Sequence, residues 1–569
     1  MKRSRQRLPH ARVDTGKPLT FRFEGETYRG FSGDTLASAL LANGVSIVGR
    51  SFKLHRPRGV LAAGREDANA LVQLESGAWS EPNARATLLP LYEGLVAKGQ
   101  NAWPSPGWDL LAALGLLKKV LPAGFYYKTF MWPNWKYWEG LVRRLAGLGE
   151  APTAPDPQYY LKQTVHAEVV VVGAGRSGLE AALAAAQDPA CRVLLLDEQE
   201  EPGGSLLASP DPADRALLAT LLQRVAQCPN VTLMPRCSVN GYYDHDVLAA
   251  LQRVGRHLGP HAESTAPREI FWRVCAGRVV LATGALERPL VFPHNDRPGI
   301  MLAGAVREYT HRYGLTLGER IVFFCNNDSA WHTALELAEH GVRVAAIVDV
   351  RPRVAPELLR RATVAGIVDR LGYSVVHTRG RRALRQVVIR RLSEDGLQGP
   401  RETLDCDLLA MSGGWSPTLH LYSQSGGRLQ WREQDSCFVP GTASQAVTTV
   451  GRANGDFPQP LHTQAYWLTP GVSPDCQWVD FQYDVTAADI QLAARENYVS
   501  VEHVKRYTTN GMAIDQGKTS NVNGLGILAL ATGRSIPEVG TTRFRPPYHP
   551  ATIGPWASWR CTGPMPGSS

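Results

Sequence analysis

The first 190 residues contain no cysteine, and the nine that follow (Cys191, Cys228, Cys237, Cys275, Cys325, Cys406, Cys437, Cys476 and Cys561) form no C-x-x-C or C-x-C pair. Zinc sites and cysteine-ligated iron–sulfur modules need clustered thiolates, so neither these nor any other metal site is expected. Isolated thiols of this kind read as small buried hydrophobes. Long apolar runs are missing too: none reaches the ~18–20 residues that span a bilayer, so no membrane partner is expected. The N-terminus, Met1-Lys2-Arg3-Ser4-Arg5-Gln6-Arg7, is basic but has no apolar stretch behind it. That argues against a secretory signal and for a cytoplasmic chain. No DNA- or RNA-binding module is present, so the net charge of +9 over 569 residues reads as basic surface, or as a face for an acidic partner or anionic cofactor.

The most informative stretch is Val169-Val170-Val171-Val172-Gly173-Ala174-Gly175-Arg176-Ser177-Gly178. Four β-branched residues make a buried parallel strand, G-x-G-x-x-G follows at once, and residues 179–187 form helix. The next strand, 192–196, ends in Asp197-Glu198. This is a dinucleotide fingerprint in its required context. Gly173 serves the tight turn, Gly175 the approach of a pyrophosphate, and Gly178 the packing of helix on strand. The helix N-terminus offers N–H groups and a partial positive charge, and Asp197 or Glu198 can accept from ribose hydroxyls. Gly203, Gly204 and Ser205 after the second strand, Thr283 and Gly284 after the strand at 279–282, and Gly451 and Ala453 after the strand at 447–450 are further candidates for the same nucleotide. The residues alone leave NAD and FAD open.

The expected organisation is an α/β chain with a Rossmann-like, two-dinucleotide-domain FAD/NAD(P)-binding fold. Residues 1–100 read as an α+β unit, with a hairpin around Glu24-Gly25-Glu26 and a helix at 36–42. Within it, the basic segment 51–59 (Lys53, His55, Arg56, Arg58) reads as a solvated, proline-stiffened loop, with an anion or partner contact as the alternative. Residues 101–162 form an aromatic-rich connector (Phe125, Tyr126, Tyr127, Phe130, Trp132, Trp135, Tyr137, Trp138) that packs on its neighbours or anchors an interface. Residues 163–475 hold the nucleotide fold, with a second βαβ unit at about 319–410. The turn of that second unit, Asn326-Asn327-Asp328, has a carboxylate where phosphate would sit, so it has lost dinucleotide binding or binds something else. Residues 476–545 read as helices opened by a capping box at Thr486. Residues 546–569 read as an irregular tail.

Several longer runs carry a family resemblance: GDTLASALLANGV at 33–45, GRSFKLHRPRG at 49–59, PAGFYYKTFMWP at 122–133, NND at 326–328 and QGKTSNVNG at 516–524. With these, the chain resembles the α-subunit family of bacterial heterotetrameric sarcosine oxidases. The resemblance implies oxidative demethylation of sarcosine to glycine, with oxygen as acceptor and hydrogen peroxide as product. The one-carbon unit leaves as formaldehyde, or as methylene-tetrahydrofolate in a full-length enzyme. It implies β, γ and δ partner subunits, FAD and the amine substrate in the β subunit, and FMN at the α–β interface. No catalytic residue is assigned to this chain. NAD is implied at Gly173–Gly178, with Ser177 over the pyrophosphate, Asp197, Glu198 and Gln199 at the ribose, Ser205 nearby and Val239 at the adenine.

The first domain resembles a ferredoxin-type β-grasp without its cluster cysteines. Residues 476–545 resemble a small helical cluster-binding module in which Ile514-Asp515-Gln516-Gly517 stands where a cysteine is expected, so no iron–sulfur cluster is expected. The family continues into a folate-binding domain that this chain is expected to lack by truncation. Alternatives are a subunit of a related amine, opine or hydroxyproline dehydrogenase, and a truncated, non-catalytic nucleotide-binding subunit.

Overall fold

The computed structural model describes residues 7–9, 11–113, 115, 123–124, 132, 134–146, 149–260 and 266–557. The N-terminal hairpin forms because Glu24 and Gly25 both take positive φ (53° and 79°), the geometry of a tight turn whose twist matches the flanking strands. It joins Asp14–Phe23 to Glu26–Ser32, and Asp14–Phe23 then pairs in parallel with Val96–Gly99. Leu71–Leu74 and Glu81–Arg85 complete a five-stranded sheet. The helix Leu36–Ala42 lies buried with it, started by a reciprocal capping box between Thr35 and Ser38.

The second sheet is built on two 13-residue strands, Tyr160–Val172 and Glu269–Leu281, paired in parallel. Val193–Leu196 and then Val231–Met234 extend it on one side, and Val447–Thr449 pairs with the upper half of Glu269–Leu281 on the other. Cys237–Tyr243 and Val247–Arg253 pair antiparallel below. Both faces are covered, which is why the central strands read as unbroken apolar runs. Val170, Val172, Leu194 and Leu196 pack with Leu248 and Trp272, while Val169, Val171, Val193 and Leu195 pack under the helices with Leu179, Leu218 and Leu221.

Between Leu281 and Val447 the chain builds a second parallel sheet, ordered Ile300–Leu302, Leu408–Ser412, Ile321–Cys325, Val344–Asp349, Val368–Leu371. Its turn is filled by side chains of the chain itself. Asp328 accepts from Arg351 at 2.6 Å and lies 2.6 Å from His462 Nδ1, and Arg351 also pairs with Asp349 at 2.7 Å. Helices Ala487–Arg495, Val501–Thr508, Asn521–Thr532 and Ile536–Val539 follow. The first opens on the Thr486–Asp489 capping box.

One expectation differs from the structure. The basic segment 51–59 is not solvated: His55 and Arg58 are each 1% exposed. Arg58 donates to the Phe481 carbonyl at 2.9 Å, pairs with Asp484 at 2.7 Å and shares Asp296 with Arg56. A run of like charge reads as surface only when its counter-charges are near in sequence, and here they come from hundreds of residues away. Part of the tail, residues 546–557, lies within the described residues. Tyr548 is buried, and Trp556 on the helix Ile553–Ala557 meets Phe271 with ring centroids 4.6 Å apart. In the connector, Phe125, Tyr126, Tyr127 and Phe130 lie outside the described residues, while Trp132 and Tyr137 are exposed (85% and 74%). Among the described residues no helix is long and apolar enough to cross a membrane, and no group of His, Cys, Asp and Glu side chains is placed to hold a metal ion.

Candidate functional site

The glycine turn sits at the top of the second sheet, between the strand Tyr160–Val172 and the helix Arg176–Ala185. Each glycine answers to a different neighbour. Gly173 has φ +103°, and a Cβ there would lie 2.4 Å from the Ala282 carbonyl oxygen. A Cβ on Gly178 would lie 1.8 Å from the Gly173 carbonyl oxygen, so helix and turn touch through it. Gly175 is different: a Cβ there meets nothing closer than the Gly204 Cα at 3.8 Å. It is also the N-cap of the helix, and no side chain caps that end. The first N–H groups of the helix are therefore uncapped beside an open approach, the arrangement a pyrophosphate takes.

The predicted residues converge on this opening from four segments. The Gly203 amide donates to the Ala174 carbonyl at 2.9 Å, and Gly175 and Gly203 form an isolated parallel bridge. Gly451 packs so closely on Ser177 that a Cβ would lie 2.2 Å from the Ser177 Oγ. Ala282 abuts Gly173, placing Thr283 and Gly284 beside the turn, although the Thr283 hydroxyl donates to the Thr418 carbonyl at 2.8 Å. Ser205 is exposed and Ala453 fully buried. Arg176 points to solvent and pairs with Glu180. Val239 stands apart, buried on Cys237–Tyr243, a strand whose Cys237 amide donates to the Asp197 carbonyl at 2.6 Å.

The two acids divide their roles. Asp197 accepts from the Ala174 amide at 2.6 Å and the Gln199 amide at 2.7 Å. Burial pushes its carboxyl up to about 6 against the pull of those two amides. The Glu198 carboxylate instead faces Arg65 and His549. Sequence reasoning missed both partners, which lie far from the fingerprint in the chain and carry no motif of their own. It also missed Glu287, a buried acid that accepts from the Gly304 amide at 2.6 Å and so caps the helix Ala303–His311.

Comparison with known proteins now places these units. Residues 167–436 match the family described as pyridine nucleotide-disulphide oxidoreductase, and residues 475–559 the sarcosine oxidase A3 domain. Residues 16–102 match a 2Fe-2S iron-sulfur cluster binding domain. This last match overturns the expectation of no iron–sulfur cluster: cysteine spacing was the wrong guide to this domain, because its strand pairing and core packing are set independently of ligand residues. The thiolate donors that such a cluster takes are nonetheless not found in residues 16–102. The loop there closes on the buried Asp67, whose carboxylate accepts from the amides of Leu61, Ala62, Asn69 and Ala70 at 2.6–2.8 Å.

The chain is 44% identical over 97% of its length to sarcosine oxidase subunit alpha of Rhizobium meliloti (strain 1021), covering 59% of that protein. It is 36% identical over 96% of its length to the Corynebacterium sp. (strain P-1) subunit, covering 57% of it. The chain thus spans somewhat under three-fifths of the length of these relatives. L-proline dehydrogenase from P. horikoshii shares the fold, with a TM-score of 0.67 and 17% identity over 97% of this chain and 100% of that one. Mixed α/β architecture, an FAD/NAD-binding fold and a ferredoxin-type N-terminal domain are therefore established, and over 97% of its length the chain is similar to sarcosine oxidase subunit alpha, with the sarcosine oxidase A3 domain at residues 475–559.

Proposed function

We propose that this chain is the dinucleotide-binding subunit of a multi-subunit sarcosine oxidase, and that it holds NAD at the Gly173–Gly178 turn. The observation that carries the site is the open face at Gly175 beside an uncapped helix N-terminus, ringed by Ser177, Gly204 and Gly451. These residues fit a dinucleotide: amides and an uncapped helix end for the pyrophosphate, Glu198 for the ribose, and the strand carrying Val239 toward the adenine. The second unit does not offer the same cradle, since Asp328, Arg351 and Asp349 satisfy one another where phosphate would lie.

The reaction proposed for the assembled enzyme converts sarcosine, oxygen and water to glycine, formaldehyde and hydrogen peroxide. Flavins, FAD in the β subunit and FMN at its interface with this chain, would supply the redox chemistry. This chain's residues bind and orient the nucleotide and present surface to partners. The exposed Trp103 and Trp108, together with Trp132 and Tyr137, are the proposed contact face for a partner subunit.

Releasing the cofactor by heating and recording its absorbance tests the nucleotide. A nicotinamide spectrum is expected, and a flavin band from the isolated chain would overturn the assignment. Co-expression with the β, γ and δ subunits should yield peroxide from sarcosine. Turnover of an opine or hydroxyproline in its place would move the chain to a related enzyme, and NAD bound without any turnover would make it a binding subunit only.

A further inference from the structure

Three side chains from separate parts of the chain meet just beyond the strand Val193–Leu196. Glu198 takes Arg65 Nε at 3.2 Å and lies 3.9 Å from His549 Nε2, and Arg65 Nη1 lies 3.4 Å from that same nitrogen. Their side chains are 12%, 18% and 9% exposed. Arg65 comes from the N-terminal domain, in the loop that Asp67 organises. His549 is anchored through its neighbour Tyr548, whose amide donates to the Asn240 carbonyl at 2.9 Å and whose ring stacks on His420 with centroids 3.4 Å apart.

In a strand–turn–helix–strand unit of this kind, the adenosine ribose lies over the end of the second strand, against its acidic residue. Two acids stand there, and both Asp197 oxygens already accept backbone amides. Glu198 is therefore the carboxylate placed for the ribose diol. We propose that Arg65 and His549 belong to the nucleotide site as positioning residues that hold Glu198 toward the ribose, and that the Arg65–Glu198 pair sets the choice between a free and a phosphorylated 2′-hydroxyl. This rests on the dinucleotide reading above.

The charge balance supports a preference for the free hydroxyl. Burial, with Lys518 and Arg65 alongside, holds the His549 imidazole well below its usual value, so it is neutral. Arg65 is matched by Glu198, whose carboxylate repels a 2′-phosphate, while the neighbouring cations hold backbone carbonyls: Arg253 donates to that of Glu198 at 2.7 Å, and Lys518 to those of Asp515 and Tyr548. Removing the charge on Glu198 alone would release the Arg65 guanidinium, whose fork suits phosphate.

The test is calorimetric titration of the full chain with NAD and, separately, NADP. Wild type is expected to favour NAD. Glu198→Gln should raise the NADP-to-NAD affinity ratio at least tenfold, and adding Arg65→Gln should abolish that gain. Arg65→Gln alone should lower the ratio several-fold, which provides a second reading should Glu198→Gln fail to fold. A purely structural role would weaken both nucleotides together and leave the ratio where it was. An unmoved ratio in a chain that binds NAD overturns this inference alone. A wild-type chain that binds neither nucleotide overturns it together with the dinucleotide reading.

Discussion

The Ala174 amide donates to the Asp197 carboxylate at 2.6 Å, tying the glycine turn of the first strand to the end of the second. The other Asp197 oxygen takes the Gln199 amide, so one buried side chain satisfies two backbone donors that no strand or helix reaches. Asp197 thus shapes the site before any ligand arrives.

Asp197→Ala should therefore lower stability as well as nucleotide affinity. The buried Ala174 amide and the half-buried Gln199 amide lose their acceptor, a loss of about 1–3 kcal/mol. Thermal melting without nucleotide should show the drop. A melting temperature equal to wild type, with only affinity reduced, would mean that Asp197 acts on the ligand alone.

The glycines separate packing from binding. Gly175→Ala adds a methyl that meets no protein atom within 3.4 Å, so the variant should fold normally and lose nucleotide by obstruction of the pyrophosphate. Gly178→Ala forces a methyl to 1.8 Å from the Gly173 carbonyl and should destabilise the fold itself. Melting and titration of both variants check this. Normal nucleotide binding by Gly175→Ala would place the nucleotide elsewhere.

What was legible in the sequence was local. The hairpin at Glu24-Gly25, the Thr486 capping box and the strand running into Gly173 each announce themselves within a few residues, because turn chemistry and hydrophobic runs act at short range. The glycine candidates converge in space because strand order follows from those runs. Arg65 and His549 were not legible, since nothing near either residue marks its approach to Glu198. The strands Cys237–Tyr243 and Val247–Arg253 were missed for another reason: both are largely buried, so neither shows the alternation that marks a half-exposed strand. The segment 51–59 was misread because Asp296 and Asp484, which neutralise it, lie in other domains.

That segment gives a stability prediction. Arg58 is 1% exposed and bridges two buried carboxylates, Asp296 and Asp484. Arg58→Met keeps the length of the side chain but leaves Asp484 without its guanidinium partner, at a cost of about 3–5 kcal/mol. Denaturant unfolding should show it. Because the bridge joins the N-terminal domain to the C-terminal segment, limited proteolysis should release the N-terminal domain sooner in the variant. A change under about 0.5 kcal/mol would show that the pair is solvated in solution.

Glu287 provides a pH test. Burial raises its carboxyl to about 7, against hydrogen bonds from Ser412 and the Gly304 amide that favour the ionised form. An unfolded glutamate titrates near 4.3. Between roughly 4.3 and about 7 the folded chain holds a proton that the unfolded chain has lost, so this group's contribution to stability falls as pH rises through that window and is flat above it. Glu287→Gln keeps an acceptor for Gly304 but cannot ionise. Its stability relative to wild type should therefore climb from pH 5 to pH 8, by on the order of 2–3 kcal/mol. Paired melting curves across that range measure the difference. A gap that stays constant with pH would show that Glu287 is ionised throughout, held as a carboxylate by the helix end it caps.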